Sequence, residues 1–247
     1  MNLILFEPHE ASDPESVRVD DARARHLREV LKVTPGQTVQ IGVVNGPRGT
    51  GTVLSVDGSA VTLRCEFEMT IPPLSSVDLL LALPRPKVMK RLWAQLSAIG
   101  VGRILLTNAA RVERHYFDTH VLSPDCYRPL LIEGLQQARD TRLPIVSIHR
   151  RLKVLIEDEL DAIAADLIRL VADPGALASI PDALQASQHP DRCLLAVGPE
   201  GGWTDFERDL LAAHRFHPVA MRPRALRSDT ACIALLTLAH ETLHNRA

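Results

Sequence analysis

The chain has 247 residues, 46% of them hydrophobic and 23% charged, with a formal net charge of −2. This composition supplies apolar mass for one large domain or two smaller ones and excludes a disordered chain. The 13 Gly and 17 Pro follow no period, which excludes collagen-like and low-complexity chains. No apolar run approaches the roughly 20 residues that span a bilayer. The opening MNLILFEPHE shows neither a basic n-region nor a cleavage site. Cys65, Cys126, Cys193 and Cys232 are too widely spaced for a disulfide framework or a zinc knuckle. A cytoplasmic location is expected.

The small net charge conceals uneven blocks. Residues 1–75 carry 7 basic and 10 acidic side chains, residues 84–151 carry 12 and 5, and residues 152–213 carry 4 and 12. A basic block in an acidic protein fits a phosphate-binding surface, or a solvated face neutralised by acidic neighbours.

In chain order, Asp20–Val30 reads as a short helix with acidic residues in its first turn. Two strand-like runs, Val39–Val44 and Thr50–Val56, flank Asn45-Gly46, a hairpin signal. Ala60–Phe67 alternates, placing Val61, Leu63, Cys65 and Phe67 on one face of a third strand. Ile71-Pro72-Pro73-Leu74-Ser75-Ser76 interrupts both periodicities and marks a domain boundary, dividing the chain into 1–73 and 74–247. Beyond it, apolar strands at Val77–Leu83, Arg103–Thr107, Ile145–Ile148, Leu167–Ala172, Cys193–Val197 and Pro218–Met221 are predicted. Helices are predicted over Lys87–Ile99, Asp125–Arg139, from Thr204, and over Asp229–His244. Apolar strands alternating with amphipathic helices give an α/β domain with a parallel sheet covered on both faces.

Three segments carry candidate chemistry. At Leu194–Thr204 an apolar strand enters the turn Gly198-Pro199-Glu200-Gly201-Gly202-Trp203 and then a helix opened by Thr204, with Glu207 completing a capping box. Glycines there let the backbone approach a ligand at the C-terminal edge of the sheet; the bland alternative is a tight strand-to-helix turn. The spacing is not that of a P-loop. At Met221–Ala231, Arg222, Arg224 and Arg227 precede an apolar helix that Ser228 or Thr230 can cap, an arrangement suited to a polyanion or to a plain surface loop. Lastly, His240-Glu241-Thr242-Leu243-His244 matches the zinc-peptidase pattern, but no third ligand follows it. No metal site is expected.

The order and context of the two loops resemble the RsmE family of RNA methyltransferases, within the SPOUT superfamily. The likeness covers nearly the whole chain. It begins with His26–Val33 and Pro35-Gly36-Gln37, continues through Lys87 to Val101 and Arg111, Glu133 to Gln137 and Arg142-Leu143-Pro144, and ends on Gly198–Trp203 and Leu226–Ala231. It implies a PUA-like, RNA-binding β-barrel over 1–73 and a trefoil-knotted SPOUT methyltransferase domain over 74–247. The implied activity is transfer of a methyl group from S-adenosylmethionine (SAM) to N3 of one uridine of 16S ribosomal RNA in the small subunit, by a homodimer. Cofactor loops would be Val171-Ala172-Asp173, Gly198-Pro199-Glu200-Gly201-Gly202, and Ala220, Met221, Pro223, Leu226 and Arg227. Arg227 and Asp229 would act in catalysis, Arg227 stabilising charge near the uracil and Asp229 orienting it or taking a proton. Arg28, Arg85, Lys87, Lys90, Arg91, Arg111, Arg114 and Arg224 would hold RNA. Family members commonly carry glutamate where this chain has Ala98, Ala110, Gln136 and Asp229, and glycine at Arg222. An inactive RNA-binding protein of the same fold, or a methyltransferase for another RNA, is the alternative.

Overall fold

The computed structural model describes residues 2–186, 191–221 and 226–245. The chain divides into two compact units, Met1–Leu74 with Leu131–Leu143, and Ser75–Leu130 with Pro144–Ala247. The contiguous division at 73/74 therefore needs one amendment. Residues 131–143 belong with the first unit because Leu135, with Ile132 and Leu143, packs on Leu3, Leu5 and Val44.

The first unit holds β1 (Ile4–Phe6), β2 (Val17–Val19), the helical turn α1 (Ala22–Arg25), β3 (Thr38–Val43), β4 (Arg48–Asp57) and β5 (Ala60–Phe67). They form a five-stranded sheet of order β1-β3-β4-β5-β2, in which only β1–β3 is parallel. Asn45 takes a positive φ of 58° in the β3–β4 turn, but Gly46 does not, so the Asn-Gly pair does not form the two-residue type I′ turn it signals. Val61, Leu63 and Cys65 are buried with Ile4, Phe6, Ile41 and Leu27. The single helix expected over Asp20–Val30 is instead two pieces. Asp21 caps α1, and a π turn over His26–Val30 closes through the Leu31 N–H to the His26 carbonyl (3.0 Å). One extra residue per turn drops Leu27 into the core while Val30 and Leu31 stay exposed.

The second unit contains β6 (Val77–Ala82), α2 (Pro86–Ile99), β7 (Arg103–Thr107), α3 (Pro124–Ala138, its later part in the first unit) and β8 (Ile145–His149). Two short helices, α4 (Leu152–Val154) and α5 (Leu160–Ala164), flank a π turn; then follow β9 (Ile168–Ala172) and α6 (Ile180–Gln185). The chain continues through β10 (Cys193–Val197), α7 (Asp205–Ala213), β11 (Phe216–Val219) and α8 (Ser228–His244). The six strands make an all-parallel sheet of order β11-β9-β10-β6-β7-β8. β6 and β10 are buried along their whole length, as apolar runs covered on both faces must be.

α2 starts at Pro86, buries Met89, Leu92, Trp93 and Leu96 at helical spacing, and stops at Gly100 (φ 93°), a left-handed cap. α8 packs on α2, α6, β6 and β10. Its cap differs from expectation: Arg227, not Ser228 or Thr230, is the N-cap, and its side chain makes no capping bond. β11 also lies two residues earlier than predicted. Among the described residues, no helix is long and apolar enough to cross a membrane.

Candidate functional site

Successive strands of the sheet run outward from β6 through β7 to β8, and the chain then returns to lay down β9 on the far side, with β10 between. Such a reversal of direction leaves a crevice at the C-terminal ends of the strands. Three segments meet there. Asp173-Pro174 follows Ala172, the last residue of β9, Gly198–Trp203 follows β10, and Ala220-Met221 follows β11. Two cavities, of about 210 and 70 Å³, share Ala172, Asp173, Pro174, Leu226 and Ala231. The larger adds Gly198 to Trp203, the smaller Ala220 and Met221. A cavity of about 680 Å³ beside α6 and β11 touches none of the sequence-predicted site residues.

Each segment is fixed by backbone bonds. The Asp173 N–H donates to the Val219 carbonyl (3.0 Å), and the Asp173 carboxylate accepts from the Gly175 N–H (2.9 Å). The Gly202 N–H donates to the Pro199 carbonyl (2.8 Å), with Gly202 at φ 74°, where a side chain would be strained. A Cβ on Gly198 would lie 2.9 Å from the buried indole nitrogen of Trp203, so only glycine fits under that ring. The expected capping box is complete. The Thr204 side chain accepts from the Glu207 N–H, and the Glu207 carboxylate accepts from the Thr204 N–H (2.8 Å).

Two ion pairs stand at this edge of the sheet. Arg85, at the start of α2, meets Glu200 (3.3 Å), and Arg91, one and a half turns along α2, meets Asp229 (3.1 Å). All four side chains retain solvent access, Asp229 least at 20%. Asp229 is thus held by Arg91, and its second oxygen accepts from the Thr230 N–H (2.9 Å).

Of the expected cofactor residues, Ala172, Asp173, Gly198, Pro199, Glu200, Gly201, Gly202, Ala220, Met221 and Leu226 line these cavities. Val171 is buried inside β9, and Arg227 is exposed at the start of α8. Pro223 and Arg224, with Arg222, lie outside the described residues. Lys87, Lys90 and Arg91 are exposed on α2 at the spacing of one helical face, and Arg114 is exposed after β7. Arg28 spends part of its guanidinium on the Gly58 carbonyl in the first unit. Arg111 is directed onto the carbonyls of Gly201 and Gly202. His240 is largely buried, with its pKa held below the usual histidine range by burial, whereas His244 is exposed. Among the described residues, no cluster of three or more metal-ligating side chains forms.

Sequence reasoning missed the Arg85–Glu200 and Arg91–Asp229 pairs, the approach of Arg111, and the bond from Glu207 to the Ala110 N–H (2.7 Å). Partners so far apart in sequence leave no local pattern.

The parallel sheet and its glycine-lined crevice fall within residues 71–240, which match the family described as RNA methyltransferase domain. The chain belongs to this family, as a member of its RsmE branch. Ribosomal RNA small subunit methyltransferase E of Treponema pallidum is 29% identical, over 97% of this chain and 92% of that protein. The Borreliella burgdorferi protein named Ribosomal RNA small subunit methyltransferase E 1 is 25% identical, over 99% and 100%. Among solved structures, that of Neisseria gonorrhoeae Ribosomal RNA small subunit methyltransferase E bound to S-adenosyl methionine has the same fold. It superposes with a TM-score of 0.75 at 20% identity, covering 96% of both chains.

Proposed function

We propose that the chain is a cytoplasmic, homodimeric, SAM-dependent methyltransferase acting on N3 of one uridine of 16S ribosomal RNA in the small subunit, U1498 in standard numbering. On this reading residues 1–73 are a PUA-like barrel that grips RNA, and the second unit is a trefoil-knotted SPOUT domain. The carrying observation is the convergence of three strand-end loops on one glycine-lined crevice. The residues there fit SAM. Gly198 and Gly201 let Trp203 and Arg111 pack directly against the turn, and backbone groups of three loops line the crevice for an adenosine and an amino-acid tail. The relative from Neisseria gonorrhoeae was solved with that cofactor, which supports the assignment.

When bound, SAM supplies an electrophilic methyl group, so the protein's task is alignment and charge. N3 of uracil is a weak imide acid, and loss of its proton to solvent water leaves an anion. Arg227, exposed at the start of α8, stabilises that anion together with Arg91. Asp229, with both oxygens already engaged, orients Arg91. Lys87 and Lys90, with Arg85 and Arg114, hold phosphates, while the target base is turned out of its stack.

Incubation of the protein with labelled SAM and small subunits lacking this modification is expected to place label at N3 of that uridine. SAM binding without label transfers the reading to another RNA. Neither binding nor label leaves an inactive RNA-binding protein of the same fold.

A further inference from the structure

Glu207 is 4% exposed, and its two carboxylate oxygens serve different elements. Oε2 accepts from the Thr204 N–H (2.8 Å) and hydroxyl (2.9 Å), which completes the helix cap. Oε1 has no part in the cap and accepts from the Ala110 N–H (2.7 Å), on the segment after β7. The next residue, Arg111, reaches across Gly201 and Gly202, and its Nη1 donates to the Gly201 carbonyl. A Cβ on Gly201 would stand 2.8 Å from Arg111 Cδ, so the arginine stem fills the place of a side chain. With the Gly202 N–H on the Pro199 carbonyl, both ends of the Gly201–Gly202 peptide are held.

We propose that Glu207 is a positioning residue for cofactor binding. It anchors Ala110, sets Arg111 against the glycine carbonyls, and so pre-orders the loop that takes SAM. The inference rests on reading residues 198–202 as a cofactor loop. A turn rich in glycine has many conformations to lose on binding, and any group that removes them beforehand strengthens affinity. Arg111 is thereby assigned to the loop and not to RNA.

The test is SAM affinity by calorimetry, paralleled by the fluorescence of Trp203, which lines the same cavity, in the full chain. Glu207→Ala and Arg111→Ala are each expected to weaken SAM about tenfold, and the double variant no further, because the two act as one unit. Thr204→Ala removes a cap bond but not the Ala110 anchor. It is expected to lower the melting temperature while leaving SAM affinity within about twofold. Glu207→Gln keeps an oxygen for Ala110 and is expected to restore most of the affinity. Equal weakening by Thr204→Ala and Glu207→Ala, or additive losses in the double variant, overturns the proposal alone. Should Glu207→Ala not fold, Arg111→Ala still decides the matter, since that side chain is exposed and unchanged SAM affinity without it overturns the proposal. Failure of the unaltered protein to bind SAM overturns the cofactor reading, and this proposal with it.

Discussion

The two edges of the six-stranded sheet each carry an acid paired with an arginine, and the pairs are built for different ends. At the N-terminal edge Asp78, 1% exposed in β6, meets Arg192 at 3.2 Å, and Gly102 leaves no space beside it, since a Cβ would come within 2.7 Å of its carboxylate. At the C-terminal edge Glu200 and Asp229 meet Arg85 and Arg91 in the open, beside a crevice. A buried carboxylate held by a half-buried arginine fixes the frame, because a lone buried charge is expensive. An exposed pair contributes little to stability and leaves its arginine able to exchange a carboxylate for a phosphate.

Breaking the Asp78–Arg192 pair has the largest expected effect. Arg192→Ala is expected to destabilise the fold by about 3 kcal/mol at neutral pH in urea unfolding. Burial holds the Asp78 carboxyl above its ordinary range, in spite of Arg192 and Arg103. A carboxyl raised in the folded state makes its full contribution below its unfolded value near 3.8 and loses it as pH climbs through the folded value. The deficit of the variant is therefore expected to shrink between pH 7 and pH 4, where a neutral carboxyl no longer needs the guanidinium.

Filling the crevice comes next. Gly198→Ala pushes a methyl group against the Trp203 indole and is expected to cost about 1–2 kcal/mol of stability with about tenfold weaker SAM binding, read by calorimetry. Asp229→Asn sharpens the contrast further. Stability is expected to stay within about 0.5 kcal/mol, while methyl transfer falls about tenfold as Arg91 loses its orientation. The mildest change is Arg85→Ala, with unaltered melting and a salt dependence of RNA affinity reduced by about one counterion.

Much of this frame can be read in the sequence because its signals are local. The run Cys193–Val197, its glycine turn and the Thr204–Glu207 box are consecutive, and the structure reproduces them residue for residue. The alternation of Ala60–Phe67 likewise depends on neighbours alone. What escapes is set by distant partners. The three residues of β1 exist as a strand only because Ile4, Leu5 and Phe6 pair with Ile41, Gly42 and Val43. The assignment of 131–143 to the first unit depends on Leu135 finding Leu3, Leu5 and Val44. The π turns at His26–Val30 and Leu155–Glu159 insert a residue where apolar periodicity predicts plain helix or nothing. At the site the glycines announce themselves, whereas the cations that meet them come from α2 and from the segment after β7.

The position of β10 has a consequence for how the protein is made. Val77 of β6 pairs with Cys193 of β10, so the middle of the sheet joins strands far apart in the chain. At synthesis rates of about 5–20 residues per second, β6 waits on the order of ten seconds for its neighbour. During that interval the nascent chain exposes an unpaired apolar edge, and the loop to be closed is long. Slow folding in a refolding experiment is expected from the same strand order that creates the crevice.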